Sequence, residues 1–194
     1  SREPDAFRAQ VEAEAPGARA ATVAEAALAD AVVLAIPLGR LATLDPTPFE
    51  GVLVVDATNY WWELDGARPD LEDPTTSTSE TVRAHLAGAR VVKSLNHLSA
   101  YALEELARPA GASDRLAMAV AGDDAADVDT VVALIDALGF DPVRAGALAD
   151  GVRLEPGTEI FGADADAAEA REMLDRFWES QRGRVVARAR GLSR

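Results

Sequence analysis

The chain has 194 residues, enough for one domain or for one domain with a small appendage. Its 33 acidic and 19 basic residues give a formal charge of -14, which repels phosphate backbones and anionic lipid and argues against nucleic-acid and membrane-surface binding. It holds no cysteine, which excludes disulfides, thiolate nucleophiles and cysteine-based metal sites.

Hydrophobic residues make up 48% of the chain and charged residues 27%, an ordinary globular balance. No apolar run approaches the roughly 20 residues of a membrane helix. The opening SREPDAFRAQ is too polar for a signal peptide. A cytoplasmic enzyme or binding protein with a small-molecule ligand is the expectation, without metal, nucleic-acid or membrane partners.

In chain order, a first helix fits from Pro4, with Phe7 and Val11 on one face. A weak strand is expected at 18–21, and Thr22 with Glu25 forms a capping box for a second helix. The first clear strand is Ala31 to Ile36, followed by Val52 to Asp56, Arg90 to Leu95 and Leu116 to Ala121, with a shorter one at Asp141 to Arg144. The four clear strands are nearly continuous in apolar residues, as strands covered on both faces are. Helices read between them: Ser77 and Glu80 make a second capping box, and Ala125 to Leu138 is closed by Gly139. A last helix is expected from Ala163 to Arg190, with Leu174, Phe177, Trp178 and Val185 along one stripe. Alternating strands and helices predict an α/β fold with a mostly parallel, Rossmann-like sheet and a long C-terminal helix.

Residues 60–78 form one irregular stretch, long for a compact domain, and its aromatic start marks it as a functional lid. From Arg182 onward the chain has five arginines and no acid. The bland reading is a solvated helix end; the sharper one is a clamp on an acidic partner or an anionic ligand.

Ligands of parallel sheets bind beyond the carboxyl ends of the strands. The residues there are Pro37-Leu38-Gly39, then Ala57-Thr58-Asn59-Tyr60-Trp61-Trp62, then Asn96-His97, then Gly122-Asp123-Asp124. Most of these suit a flat heterocycle with amide and phosphate groups. His97 reads either as a proton donor or ligand contact, or as the cap of a helix beginning near Ser99. Lys93 reads as a strand residue snorkelling outward, and His85 as a helix-surface residue. Asp56 reads as holding either a ribose or its own loop backbone. The two tryptophans would stack on a ring or pin the loop, and Asp123-Asp124 would cap a helix. A G-x-G-x-x-G turn is absent: no two glycines are separated by one residue.

In order, ADAVVLAIPLG, GVLVVDATNYWW, the S-x-x-E helix start, ARVVKSLNHL, MAVAGDD, LIDALGFDPVRAGAL and VRLEPGTEIFG resemble the coenzyme F-420-dependent NADP oxidoreductases. The resemblance spans 1–162, and its most specific pieces are DATN, K-x-x-N and LGFDPV followed by LEPG. It implies an NADP-binding domain over 1–162 with a helical extension over 163–194. It also implies hydride transfer between NADP(H) and a deazaflavin, by positioning and with no catalytic acid or base. Ser1 and Arg2 would receive the adenosine 2′-phosphate, with Ile36, Pro37, Leu38, Thr58 and Asn59 along the rest of the cofactor. Asn96, His97 and Trp61 would meet the second substrate. A homodimer through the C-terminal helix is expected. By the same comparison, a first strand, Gly-rich turn, helix and second strand would come before Ser1, supplied upstream or by another chain. Where relatives have a shorter connection, NYWW and its loop make the acceptor open to others, such as an imine, a flavin or ferric iron. A non-catalytic nucleotide- or partner-binding protein is the alternative reading.

Overall fold

The computed structural model describes residues 4–192, so Ser1 and Arg2 lie outside the described residues. Helix α1 (Pro4–Glu14) and the single turn α2 (Val23–Ala26) lead into β1 (Ala31–Leu34). Next come β2 (Leu53–Asp56), α3 (Trp62–Asp65), α4 (Thr78–His85), β3 (Arg90–Lys93) and α5 (Ala100–Glu105). The chain then forms β4 (Ala117–Gly122), α6 (Ala125–Ala137), β5 (Asp141–Gly146), α7 (Ala167–Arg176) and α8 (Gln181–Ala189). The sheet order is β1-β2-β3-β4-β5, a mostly parallel Rossmann-like α/β sheet.

Both predicted capping boxes form, on α2 at Thr22/Glu25 and on α4 at Ser77/Glu80. Asp124 caps α6 through the amides of Ala126 and Asp127, as expected. No strand forms at 18–21. His85 is half-buried, not a surface residue: its Nε2 lies 2.8 Å from the Leu44 carbonyl oxygen.

Period-2 alternation divides the strands between two cores. Leu53, Val55, Val92, Met118 and Val120 face α6, where Val128, Val131, Ile135 and Phe140 close one core. On the other face Val54, Val91 and Leu34 meet Val82 of α4 and Leu86, the residue that ends it. There too Ala117, Ala119 and Ala121 offer a surface of small side chains, which packs with Leu154, Ile160 and Leu174.

Two of the five strands, β4 and β5, run parallel to each other and opposite to β1, β2 and β3. β3 and β4 are antiparallel, with Val92 opposite Gly122 and Lys93 opposite Ala121. Both strands are buried on two faces, so their apolar runs carry no sign of direction. The consequence falls on the site: Gly122-Asp123-Asp124 lies at the edge of the sheet opposite the ends of β1, β2 and β3. Asp123 there pairs with Arg83 and accepts from the Leu148 amide at 2.9 Å. It is a structural residue, not a fourth ligand-facing turn.

The C-terminal helical extension is present but divided into α7 and α8 by a 3-10 turn, Phe177–Glu179. Ser180 caps α8 by accepting from the Gly183 amide at 2.9 Å. The new helix crosses so tightly that a Cβ on Gly183 would lie 1.9 Å from the Phe177 carbonyl oxygen. Of the expected stripe, Leu174 and Phe177 are buried within the chain and Val185 stays exposed. The basic end ties down to its own chain: Arg182 pairs with Glu155, and Arg190 donates to the carbonyls of Ala149 and Pro74. Gly183→Ala is expected to lower stability by roughly 1–3 kcal/mol through this overlap, read as a lower urea midpoint with unchanged slope.

Candidate functional site

The carboxyl ends of β1, β2 and β3 lie side by side, because these three strands are parallel and in register from Leu34 to Asp56 to Lys93. Asp56 and Lys93 are therefore direct neighbours. Both side chains point to the α4 face and both are fully buried. Lys93 does not snorkel, since a strand covered on both faces leaves no outward direction. Its ammonium lies 3.2 Å from Asp56 Oδ2 and donates to the Thr58 carbonyl.

The Asp56 carboxylate is saturated. Oδ1 accepts from the Thr58 amide at 2.9 Å and hydroxyl at 2.7 Å, while Oδ2 accepts from Ser79 at 2.6 Å as well as from Lys93. Of the two roles open to Asp56, the structure shows it holding its own loop. An ion pair taken out of water holds only when further hydrogen bonds support it; here four reach the carboxylate and the Thr58 carbonyl takes a second ammonium proton. Gly151, on the 3-10 stretch Leu148–Leu154, packs on the lysine stem and leaves room for it.

The same two turns are joined again three residues on. Asn59 Nδ2 donates to the Asn96 carbonyl at 2.9 Å, and Asn96 Nδ2 donates to Asn59 Oδ1 at 2.9 Å and to the Leu154 carbonyl at 2.7 Å. DATN and K-x-x-N are thus two halves of one clasp. Between them Leu95 has φ 63°, an uncommon conformation for a branched side chain, held by the bonds on either side.

His97 does not cap α5; Ser99 does, accepting from the Ala102 amide at 3.1 Å. The imidazole is buried, and its Nε2 accepts from the Ala119 amide at 2.9 Å. Ser94 donates to the carbonyl of the same residue at 2.9 Å. Together these side chains satisfy the backbone of β4 where β3 has turned away. Burial above all lowers the His97 pKa from 6.5 to about 4; its own backbone raises it in part, and Lys93 adds to the lowering. The ring is neutral at pH 7.

Of the residues expected to meet ligand, Leu38, Thr58, Asn96 and His97 are buried. Ile36 and Asn59 are half-buried; Pro37 and Trp61 are exposed. Trp61 lies edge-on to Phe161, with ring centroids 5.6 Å apart and an interplanar angle of 71°. The long stretch after β2 is built around the Tyr60 hydroxyl, whose one proton has Gly66 O and Glu72 Oε1 as alternative acceptors at 2.9 Å each and whose oxygen accepts from the Arg68 amide at 3.2 Å. Asp65, at the end of α3, accepts from the Gly39 amide at 2.8 Å and the Trp61 amide at 3.0 Å. Beyond this loop, a cavity of about 640 Å³ opens between Leu71–Thr76, Glu155 and α8.

Sequence reasoning missed Ser79, Asp65 and Phe161. Ser79 sits inside the capping box but bonds across to Asp56, and nothing local marks it. Asp65 meets Gly39, and Phe161 meets Trp61, only through tertiary contacts. Lys93 did carry a signal: it is the only lysine of the chain, set directly after two valines on a two-sided strand. Among the described residues no cluster of acids and histidines could hold a metal ion, and no helix is long and apolar enough to cross a membrane.

Lys93→Met is expected to cost about 3–5 kcal/mol in urea unfolding, since it fills the space but leaves the Asp56 carboxylate buried without its counter-charge. His97 gives a pH signature. Its folded pKa is depressed, so below 6.5 the unfolded chain takes up a proton that the native state refuses, and stability falls as pH drops toward 4. Relative to His97→Gln, which keeps an acceptor but does not titrate, wild type should lose roughly 3 kcal/mol more between neutral pH and pH 4.

No family profile matches the chain. Protein YjhV of Escherichia coli (strain K12), whose name carries no activity, is 40% identical over 80 residues. That match takes in 41% of this chain and 56% of YjhV, so the chain spans little more than half of that relative. Among solved structures, the hypothetical protein SMa0349 from Sinorhizobium meliloti superposes with a TM-score of 0.70 at 27% identity, over 84% of this chain and 79% of that one. A protein from Arthrobacter sp. FB24, provisionally named an F-420-dependent NADP reductase, superposes with a TM-score of 0.59 at 25% identity, over 92% of this chain and 77% of that one. The chain thus shares a Rossmann-like α/β fold with a protein assigned to NADP-linked oxidoreduction.

Proposed function

We propose that the chain is an NADP(H)-linked oxidoreductase that moves a hydride between NADP(H) and a deazaflavin, coenzyme F-420, or a related acceptor. The observation that carries this reading is the clasp at the strand ends. Asp56, Lys93, Asn59 and Asn96 lock two adjacent turns, in a fold shared at 25% identity with the Arthrobacter protein. Ile36, Pro37, Asn59 and Trp61 then face the cofactor and acceptor, while Leu38, Thr58, Asn96 and His97 support them from beneath.

The chemistry suits such a site. Hydride transfer between two flat rings needs them face to face at close range, and the protein's contribution is to position them and exclude water. With both bound, NADPH would supply the hydride and leave as NADP+, and the deazaflavin would take up that hydride with one proton from solvent. Neither step needs a titrating side chain, which accords with a His97 that is buried and neutral. Ser1 and Arg2 receive the 2′-phosphate in this reading, and the C-terminal helices join two copies.

A second reading has one observation in its favour. Thr58, Asn96 and His97, polar groups at the strand ends, are bonded to their own chain, as they would be in a binding protein without catalysis.

Titration of intrinsic fluorescence with NADPH, followed by mixing with F-420 and following deazaflavin absorbance, separates these. Saturable binding with bleaching of the deazaflavin is expected. Binding without bleaching of any acceptor would favour the second reading, and absence of saturable binding would sink both. Arg2→Ala should weaken NADPH about tenfold more than NADH, the loss of one charge-assisted contact. Equal losses would remove Arg2 from the phosphate site.

A further inference from the structure

Helix α3 is a single turn of four residues, too short to persist by its own backbone bonds, and none of its residues is buried. Its apolar side chains face solvent instead: Trp62 is 66% exposed and Leu64 77%, with Trp61 just before them at 40%. Polar contacts hold it in place, and they converge on one residue of the turn after β1. Asp65 takes the Gly39 amide at 2.8 Å, and Arg68 reaches the Gly39 carbonyl at 3.5 Å while paired with Asp70. The second oxygen of Asp65 takes the Trp61 amide at 3.0 Å, so one carboxylate ties α3 both to Gly39 and to the backbone that carries the indole.

Gly39 is bare for a steric reason. A Cβ there would lie 2.8 Å from Asp65 Oδ1 and 3.2 Å from Asp65 Cα, so any side chain would push the helix away. The indole it fixes meets Phe161 edge-on, two residues along the chain from the clasped Asn59. An exposed indole backed by a phenyl edge, with a second exposed indole next to it in the chain, offers aromatic surface that a planar conjugated ring covers well.

We infer that Asp65 is a positioning residue, which latches α3 onto Gly39 so that Trp61 and Trp62 form one wall of a site for a planar ring ligand. This rests on the oxidoreductase reading for the identity of the ring, the hydride acceptor, but the latch and the wall stand on their own geometry. Asp65 touches no ligand; it acts through Trp61.

Hydrogen exchange on the whole chain tests the latch. Asp65→Ala and Gly39→Ala should each speed exchange of the amides over 61–66 at least tenfold, with β2 and β3 unchanged. Asp65→Asn, which keeps one acceptor oxygen, should recover part of the protection. Unchanged exchange in Asp65→Ala, or loss spread through the sheet, would overturn the latch.

Riboflavin, a planar ring without a dense anionic tail, tests the wall through quenching of tryptophan fluorescence. Saturable quenching is expected in wild type, at least fivefold weaker binding in Asp65→Ala, and loss of the signal in the double variant Trp61→Phe/Trp62→Phe, where Trp178 remains as the internal control. No quenching in wild type, or quenching that survives in the double variant, would overturn the wall. Failure of NADPH to bind while riboflavin still quenches would sink the oxidoreductase reading and leave this one standing.

Discussion

Asp56 and Lys93 face each other across β2 and β3 with no contact with solvent, and the arrangement of the strand ends depends on that pair. Two opposite charges in a dry interior are tolerable only with complete hydrogen bonding, and this requirement reaches well beyond the pair. It recruits the amide, hydroxyl and carbonyl of Thr58, which bends the chain after β2. Through Ser79 it also holds the start of α4 against the sheet. Asn59 and Asn96 then repeat the tie one turn further out, with Leu154 drawn in from the segment that returns after β5. One buried ion pair thus joins two strands, a helix and a distant connection.

The antiparallel entry of β4 sets the second constraint. Beyond Lys93 the third strand leaves the sheet, and the backbone of Ala119 needs partners that β3 no longer supplies. Ser94 and His97 provide them, one to its carbonyl and one to its amide. A histidine at a strand end therefore serves the sheet, and its depressed pKa is a consequence of burial in that role. Around these buried groups Ile36 and Asn59 are half-buried, and Pro37 and Trp61 are exposed.

The loop after β2 shows how a segment without regular structure is ordered. The Tyr60 hydroxyl gathers three partners, and Asp65 joins the loop to the turn after β1. Polar bonds do the holding, so the apolar side chains of Trp62 and Leu64 are left on the outside. In most surface loops the opposite holds, and the inversion is what makes this one a candidate wall for a ligand. At the basic end of the chain Arg184 and Arg188 stay exposed, while Arg182 and Arg190 brace the chain around Glu155 and Pro74.

By itself the sequence determined the local elements: the five strands, both capping boxes and the closure of α6 follow from apolar runs and cap residues, which act over a few positions. It also marked DATN and K-x-x-N as special. Only the tertiary structure decided what they do, because a clasp between Asp56 and Lys93 exists only once β2 and β3 are paired in register. The direction of β4 was equally hidden, since a strand buried on both faces reads the same either way. So were the bonds of Asp65 to Gly39 and of Ser79 to Asp56, each spanning more than 20 residues. The break between α7 and α8 comes from Ser180 and Gly183 acting within a continuous amphipathic pattern, which a reading by periodicity carries straight through.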